Sequence, residues 1–137
     1  MKNIVWFRND LRVFDNPALS AACESRNEVA AVFIVSESQW KDHCDSVNKI
    51  AFWFRCLVEL EKELKKLNIP LVVLKSDLYE DIPQKLLEFA NMHCFENIFF
   101  NIEYPFNERM RDDEVTKVFE NQNKGVFSFH DQVIHKP

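Results

Sequence analysis

The chain has 137 residues, of which 47% are hydrophobic and thirteen are phenylalanine, so it can bury the core of one globular domain. Its formal net charge of −5 argues against a basic, nucleic-acid-binding face on this segment. There is no signal-peptide pattern and no apolar stretch near the about 20 residues that span a bilayer, so we expect no membrane partner and a cytoplasmic location.

Short apolar runs alternate with helical periodicities along the chain. Strands are predicted at residues 4–7, 29–35, 70–74, 98–100 and 126–129. Helices are predicted after residue 16, over residues 47–68, after residue 77 and from about residue 107 to 122. Such alternation predicts a parallel sheet with right-handed crossovers, and unbroken apolar strands need helices on both faces. We therefore predict an α/β domain with a five-stranded parallel sheet over residues 1–131, followed by the start of a linker at 132–137.

Two positions carry start signals for these helices. Asn16 followed by Pro17 is typical of a helix N-terminus, because asparagine caps the first turn and proline fits inside it. Asp77 is predicted to cap the helix after the third strand in the same way.

Gly125 is the only glycine, and we place it in the turn before the last strand. Phosphate-binding loops need several glycines so that backbone N–H groups can approach the phosphates. Neither a dinucleotide fingerprint nor a P-loop can therefore be formed, which weighs against a small nucleotide-binding protein.

The chain shows no catalytic motif. Its serines lack the glycine elbow of a nucleophile, and no carboxylate pair stands out as a general acid and base. The dipeptides His43-Cys44 and His93-Cys94 do not supply the four-ligand spacing of a zinc site. The residues alone predict a ligand-binding domain without catalytic or metal-binding residues.

Polar residues concentrate where the fourth strand ends: Asn101, Glu103, Tyr104, Asn107, Glu108 and Arg109. In parallel α/β sheets, ligands bind at the carboxyl ends of the strands. Two interpretations of Asn107 and Glu108 are open. In the first they form only a helix cap and a first-turn acid; in the second their amide and carboxylate bind the N–H edge of a planar heterocycle.

A second charged segment follows the first strand. Arg8, Asp10 and Arg12 could form a salt-bridged turn that holds a neighbouring domain, or they could contact a ligand. Arg109 and Arg111 are expected to fix Asp112 or Asp113 locally. His43 is interpreted as a surface residue, and the tryptophans as core residues.

The first strand and its turn resemble the opening of the DNA photolyase/cryptochrome family, with V-W-F-R-N-D-L-R at residues 5–12 and D-N-P-A-L at 15–19. Residues 104–112 are similar to the Y-x-x-N-E-R-x-R-D stretch of bacterial photolyases that repair cyclobutane pyrimidine dimers. Trp40-x-x-His43 fits the same branch. The resemblance spans essentially the whole chain, with departures at Ile102, Glu103, Pro105 and Phe106, where the relatives vary.

The resemblance implies a Rossmann-like antenna domain that binds a light-harvesting chromophore. The implied chromophore is 5,10-methenyltetrahydrofolate, with a deazaflavin or FMN in a deeper site as the alternative. The implied cofactor-binding residues are Asn107, Glu108 and His43, with Arg8, Asp10 and Trp40 as further candidates.

The whole protein implied by the resemblance is a deoxyribodipyrimidine photolyase, which uses light and FAD to split pyrimidine dimers in DNA. FAD and damaged DNA would bind a helical C-terminal domain absent from this sequence. That domain would be the partner of this segment, which we expect to be inactive alone. The alternatives are the antenna domain of a cryptochrome photoreceptor and, without the resemblance, a small nucleotide-binding α/β protein.

Overall fold

The computed structural model describes residues 2–8, 10–24, 28–36, 47–76, 78–103 and 106–130. The strands are β1 Lys2–Phe7, β2 Glu28–Ser36, β3 Leu71–Ser76, β4 Asn97–Asn101 and β5 Gly125–Phe129. The helices are α1 Pro17–Glu24, α2 Val47–Lys66, α3 Ile82–Met92, preceded by a 3-10 turn at Tyr79–Asp81, and α4 Phe106–Asn121. The predicted alternation of strands and helices is confirmed. No helix within the described ranges is long and apolar enough to cross a membrane.

The five strands form one parallel sheet in the order β3-β2-β1-β4-β5. The chain builds outward from β1 to β3 and then returns to place β4 on the other side of β1. The strand order therefore reverses between β1 and β4. In open α/β sheets the crevice at such a reversal, outside the carboxyl ends of the strands, is where ligands bind.

Each face of the sheet is covered by a pair of helices, as the unbroken apolar strands predicted. On β1, Ile4 and Trp6 pack on one face with α3 and α4, whereas Val5 and Phe7 pack on the other with α1 and α2. Alternate residues of a strand point to opposite faces, so a strand with helices on both sides must be apolar throughout.

The helix starts agree with the sequence at one position and differ at another. Asn16 caps α1, since its Oδ1 accepts a hydrogen bond from the Leu19 N–H at 3.2 Å. α4 begins at Phe106, so Asn107 lies in the first turn and is not the cap residue. Asp77 lies outside the described residues, and the residue preceding α3 is Asp81, which forms no side-chain cap.

Gly125 serves a different purpose from the predicted turn. The left-handed turn residue is Asn123, with φ of 60°, and Gly125 is the first residue of β5, opposite Asn97. A Cβ at Gly125 would lie 2.4 Å from Asn97 Oδ1 and 2.9 Å from the Phe127 ring. Because Asn97 Nδ2 donates to Asn3 Oδ1 at 2.9 Å, the Asn97 side chain is held in place. Glycine is therefore required here by a close approach.

Replacing Gly125 with alanine should lower the free energy of unfolding by about 1–2 kcal/mol, because the added methyl group must displace a hydrogen-bonded side chain. Urea unfolding followed by circular dichroism measures this change. Ser128→Ala, on an exposed position of the same strand, is the matched control and should stay within about 0.5 kcal/mol of the wild type. Equal stability of the two variants would show that the Asn97 side chain yields easily.

Candidate functional site

Asn101 lies at the carboxyl end of β4 and joins three segments at the strand-order reversal. Its side chain is buried, and its Oδ1 accepts from the Ala18 N–H at 3.1 Å. Its Nδ2 donates to Asn16 Oδ1 at 2.8 Å and to Asp10 Oδ2 at 2.6 Å. Asn101 therefore fixes the start of α1 and the turn after β1 against the end of β4, and side chains already satisfy the first amides of α1.

The turn after β1 is closed by hydrogen bonds to Asp10. The Arg8 N–H donates to Asp10 Oδ1 at 2.9 Å, and the Arg12 N–H donates to the Asp10 carbonyl at 2.8 Å. Since Asp10 Oδ2 accepts from Asn101, both carboxylate oxygens have partners within the chain. The predicted charged turn is present, and Asp10 holds it together through amide donors.

Four buried charges form a closed ring above the ends of β1 and β4. Arg8 Nη1 donates to Asp112 Oδ1 at 2.7 Å, and Arg111 Nε donates to the same oxygen at 3.1 Å. Arg111 Nη2 donates to Glu103 Oε1 at 2.7 Å, and Arg8 Nε lies 3.9 Å from that oxygen. We call these four residues the ion ring. Their side chains are between 6% and 14% exposed, so solvent screens these charges only weakly.

The indole of Trp6 forms the floor of the ion ring. The guanidinium carbons of Arg8 and Arg111 lie 4.5 Å and 4.8 Å from its ring centroid, within the range of cation–π attraction. Phe100 meets Trp6 edge to face at 5.6 Å. The interpretation of Trp6 as a core residue is confirmed, and its apolar surroundings strengthen the charge–charge contacts above it.

Two atoms of the ion ring are buried without a hydrogen-bond partner among the residues that the structure describes: Arg8 Nε and Asp112 Oδ2. Such orphaned groups are rare in folded proteins and destabilise them. A cluster selected only for stability would be expected to give each buried polar atom a hydrogen-bond partner. The ion ring at the ends of β1 and β4 is therefore not the most stabilising arrangement for this place.

Glu108 lies at the rim of this edge. It is in the first turn of α4 and half-buried, where the helix dipole favours a carboxylate, as the sequence indicated. Within the described part of the chain, its carboxylate has no hydrogen-bond or ion-pair partner. Asp112 is four residues further along and so shares its helix face. Helical side chains tilt toward the N-terminus, so Asp112 is directed toward the turn that carries Glu108, and Glu108 toward the start of α4.

The structure thus brings Arg8, Asp10 and Glu108 to one edge of the sheet. The backbone of Asn107 is in the first turn beside Glu108. The Asn107 side chain, His43 and Trp40 lie outside the described residues. Roles in cofactor binding stay predictions for all six. No group of three or more potential metal ligands occurs among the described residues.

Sequence reasoning found half of the ion ring. The local contact of Arg111 with Asp112 is confirmed, but the partnership of Arg8 with Asp112 spans 104 residues and was missed. One signal in the sequence could have found this pair. Arg8 follows β1 and Asp112 lies early in α4, and the predicted parallel sheet brings the ends of β1 and β4 together, so their opposite charges could have been matched.

The model of the DNA photolyase family matches residues 3–137. A deoxyribodipyrimidine photo-lyase of Buchnera aphidicola is 41% identical over 134 residues, covering 97% of this chain and 28% of that protein. Cryptochrome-1 of Arabidopsis thaliana is 32% identical over 136 residues, covering 98% of this chain and 19% of that protein.

The comparison of structures also finds a photolyase. A crystal structure of an archaeal photolyase from Sulfolobus tokodaii, described with two FAD molecules and a novel light-harvesting cofactor, superposes with a TM-score of 0.79 and 26% identity. That match covers 95% of this chain and 29% of the archaeal one. The chain therefore spans under a third of the length of these relatives. With its sequence matched from residue 3 to residue 137 and its sheet shared with a solved photolyase, the chain belongs to the DNA photolyase family.

Proposed function

We propose that the chain is the antenna domain of a deoxyribodipyrimidine photolyase and binds 5,10-methenyltetrahydrofolate at the carboxyl edge between β1 and α4. The observation that carries this proposal is Glu108: a half-buried carboxylate at a strand-order reversal, with no partner among the described residues. A half-buried carboxylate at a helix N-terminus is stable in its charged form, and its oxygens can accept hydrogen bonds from the N–H groups of a ligand.

The donor set fits the pterin part of a folate. The aminopyrimidine edge of a pterin presents adjacent N–H groups, and a carboxylate accepts two such donors side by side. Asn107 adds an amide donor and acceptor next to Glu108, and His43 adds a third polar contact. The folate, when bound, absorbs near-UV or blue light and passes the excitation to FAD; Glu108, Asn107 and His43 bind and orient it.

The rest of the activity belongs to a second domain. FAD and the damaged DNA would bind the part of the relatives that this chain does not match, and the net charge of −5 supports a segment that does not itself grip DNA. On this proposal the chain alone repairs nothing. We propose a cytoplasmic location for the protein.

Two alternatives rest on specific observations. The similarity to a plant cryptochrome supports a photoreceptor of the same fold, which a repair assay on dimer-containing DNA would separate from a photolyase. A deazaflavin or FMN in a deeper site would need free polar groups on Arg8 and Asp10. Both Asp10 oxygens and both terminal nitrogens of Arg8 have partners within the chain, so Arg8 Nε is the one polar side-chain atom of this pair without a hydrogen-bond partner among the described residues.

Changing Glu108 to glutamine, with the chain joined to its FAD domain, should remove the near-UV folate absorbance. Glutamine keeps the shape but offers one acceptor oxygen and no charge, so the dissociation constant for the folate should rise about 10–100-fold, the equivalent of one or two charge-assisted hydrogen bonds. Repair driven by direct excitation of FAD should be retained.

Glu114→Gln is the matched control for this variant. Glu114 is on the same helix and, within the described part of the chain, pairs with exposed Lys117 alone, at 3.4 Å, so its replacement should leave the folate band unchanged. A Glu108→Gln protein with a full folate band would refute the role of Glu108, and a wild-type protein that binds no added folate would refute the antenna assignment.

A further inference from the structure

We propose that the ion ring of Arg8, Glu103, Arg111 and Asp112 is the positioning device of the ligand site, which holds Glu108 in the one orientation that binds the chromophore. The proposal rests on the function proposed above and adds to it a role for charged residues that do not themselves contact the ligand.

The ion ring connects three separate segments at the edge of the sheet. Arg8 comes from the end of β1, Glu103 from the loop after β4, and Arg111 and Asp112 from α4. Arg8 also donates to the carbonyl of Asn101, the last residue of β4. The ion ring therefore fixes Glu103 and α4 against the strands, whereas among the described side chains of α4 the first to join the apolar core is Val115.

The residues of the ion ring that belong to α4 lie one helical turn after Glu108. Arg111 and Asp112 are three and four residues after Glu108, so all three lie on one side of α4. An α-helix turns by about 100° per residue, and a slip of one residue would carry Glu108 away from the crevice. The contacts that α4 makes with other segments, Asp112 with Arg8 at 2.7 Å and Arg111 with Glu103 at 2.7 Å, set that rotation.

Stability alone does not account for burying four charges here. Apolar residues of similar size usually stabilise a core at least as well as a buried ion pair, because the charges must lose their hydration. Apolar contacts, however, tolerate sliding and rotation, whereas hydrogen-bonded charges are directional. The two orphaned atoms, Arg8 Nε and Asp112 Oδ2, show that the arrangement is not optimised for stability. A precise helix orientation explains it.

The test compares two variants of α4 in the protein joined to its FAD domain. Asp112→Asn keeps the shape of the side chain but removes the charge that both arginines contact. Val115→Ala removes packing from the fully buried position nearest along the helix and leaves the ion ring intact. Both should lower the melting temperature. Titration with 5,10-methenyltetrahydrofolate should give a dissociation constant about tenfold higher for Asp112→Asn only, the effect typical of losing a supporting contact.

Circular dichroism induced in the folate band adds a readout of ligand orientation. We expect it to change in Asp112→Asn and to match the wild type in Val115→Ala. Glu103→Gln, at the most exposed position of the ion ring, should show the same changes to a smaller extent. If Asp112→Asn does not fold, Glu103→Gln tests whether the ion ring affects folate binding. Wild-type folate affinity and dichroism in the Glu103 and Asp112 variants, or equal losses in Val115→Ala, would overturn the proposal. A wild-type protein without folate binding would instead remove the proposed function itself.

Discussion

Replacing Arg8 with methionine should lower the free energy of unfolding by about 3–5 kcal/mol, because it leaves the buried Asp112 carboxylate without its main partner. The Arg8 side chain is 6% exposed and lies 2.7 Å from Asp112, and it also donates to the carbonyl of Asn101. Methionine fills the space beside Trp6 but supplies no donor. Urea unfolding near neutral pH measures the change.

Three further variants, Arg109→Met, Asp112→Leu and the double variant Arg8→Met/Asp112→Leu, test whether the loss comes from the broken ion pair. Arg109→Met removes an arginine from an exposed position on α4 and should change stability by less than about 0.5 kcal/mol. Adding Asp112→Leu to Arg8→Met removes both charges, and the double variant should be more stable than the sum of the single losses by about 2 kcal/mol or more. Additive losses would mean that Arg8 stabilises the fold through contacts other than the one with Asp112.

The strands, helices and faces could be predicted because each depends on residues close together in the chain. The apolar run at residues 4–7 could only be a strand covered on both sides, and Asn16 with Pro17 could only open a helix. These signals do not require knowledge of which strands are neighbours.

The features that sequence reasoning missed are set by contacts between distant segments. Gly125 has no special φ, and its requirement comes from the Asn97 side chain of the neighbouring strand. The pairing of Arg8 with Asp112 depends on β1 lying beside β4. Periodicity could not supply that order, because several strand orders have the same apolar pattern.

The edge of the sheet where the polar residues gather could be predicted, whereas the contacts among those residues could not. The concentration of polar residues at the end of the fourth strand indicated where charged side chains would cluster, because parallel strands present their carboxyl ends together; that a ligand binds there stays a prediction. Which of those residues face a ligand and which face one another could not be read from the sequence. Glu103 and Asn101 were both noted as polar, and the structure engages both with internal partners.

Asn101 gives the second large effect that we expect. Changing it to alanine should lower the free energy of unfolding by about 2–4 kcal/mol, because the Ala18 N–H, Asn16 Oδ1 and Asp10 Oδ2 all lose a hydrogen-bond partner in a largely buried place. Urea unfolding again measures the loss. The folate band of the protein joined to its FAD domain should weaken too, because the turn that carries Arg8 loses its link to β4.

Asn91→Ala is the matched control, since Asn91 is exposed on α3 and alanine favours a helix; it should not lose stability. Asn101→Asp separates the two halves of the side chain. It keeps the acceptor for the Ala18 N–H but places a second carboxylate oxygen where the amide nitrogen now lies 2.6 Å from Asp10 Oδ2, so repulsion should make it at least as destabilising as alanine. If Asn101→Asp were as stable as the wild type, the donor side of Asn101 would contribute nothing, and the link between β4 and the turn after β1 would have to lie elsewhere.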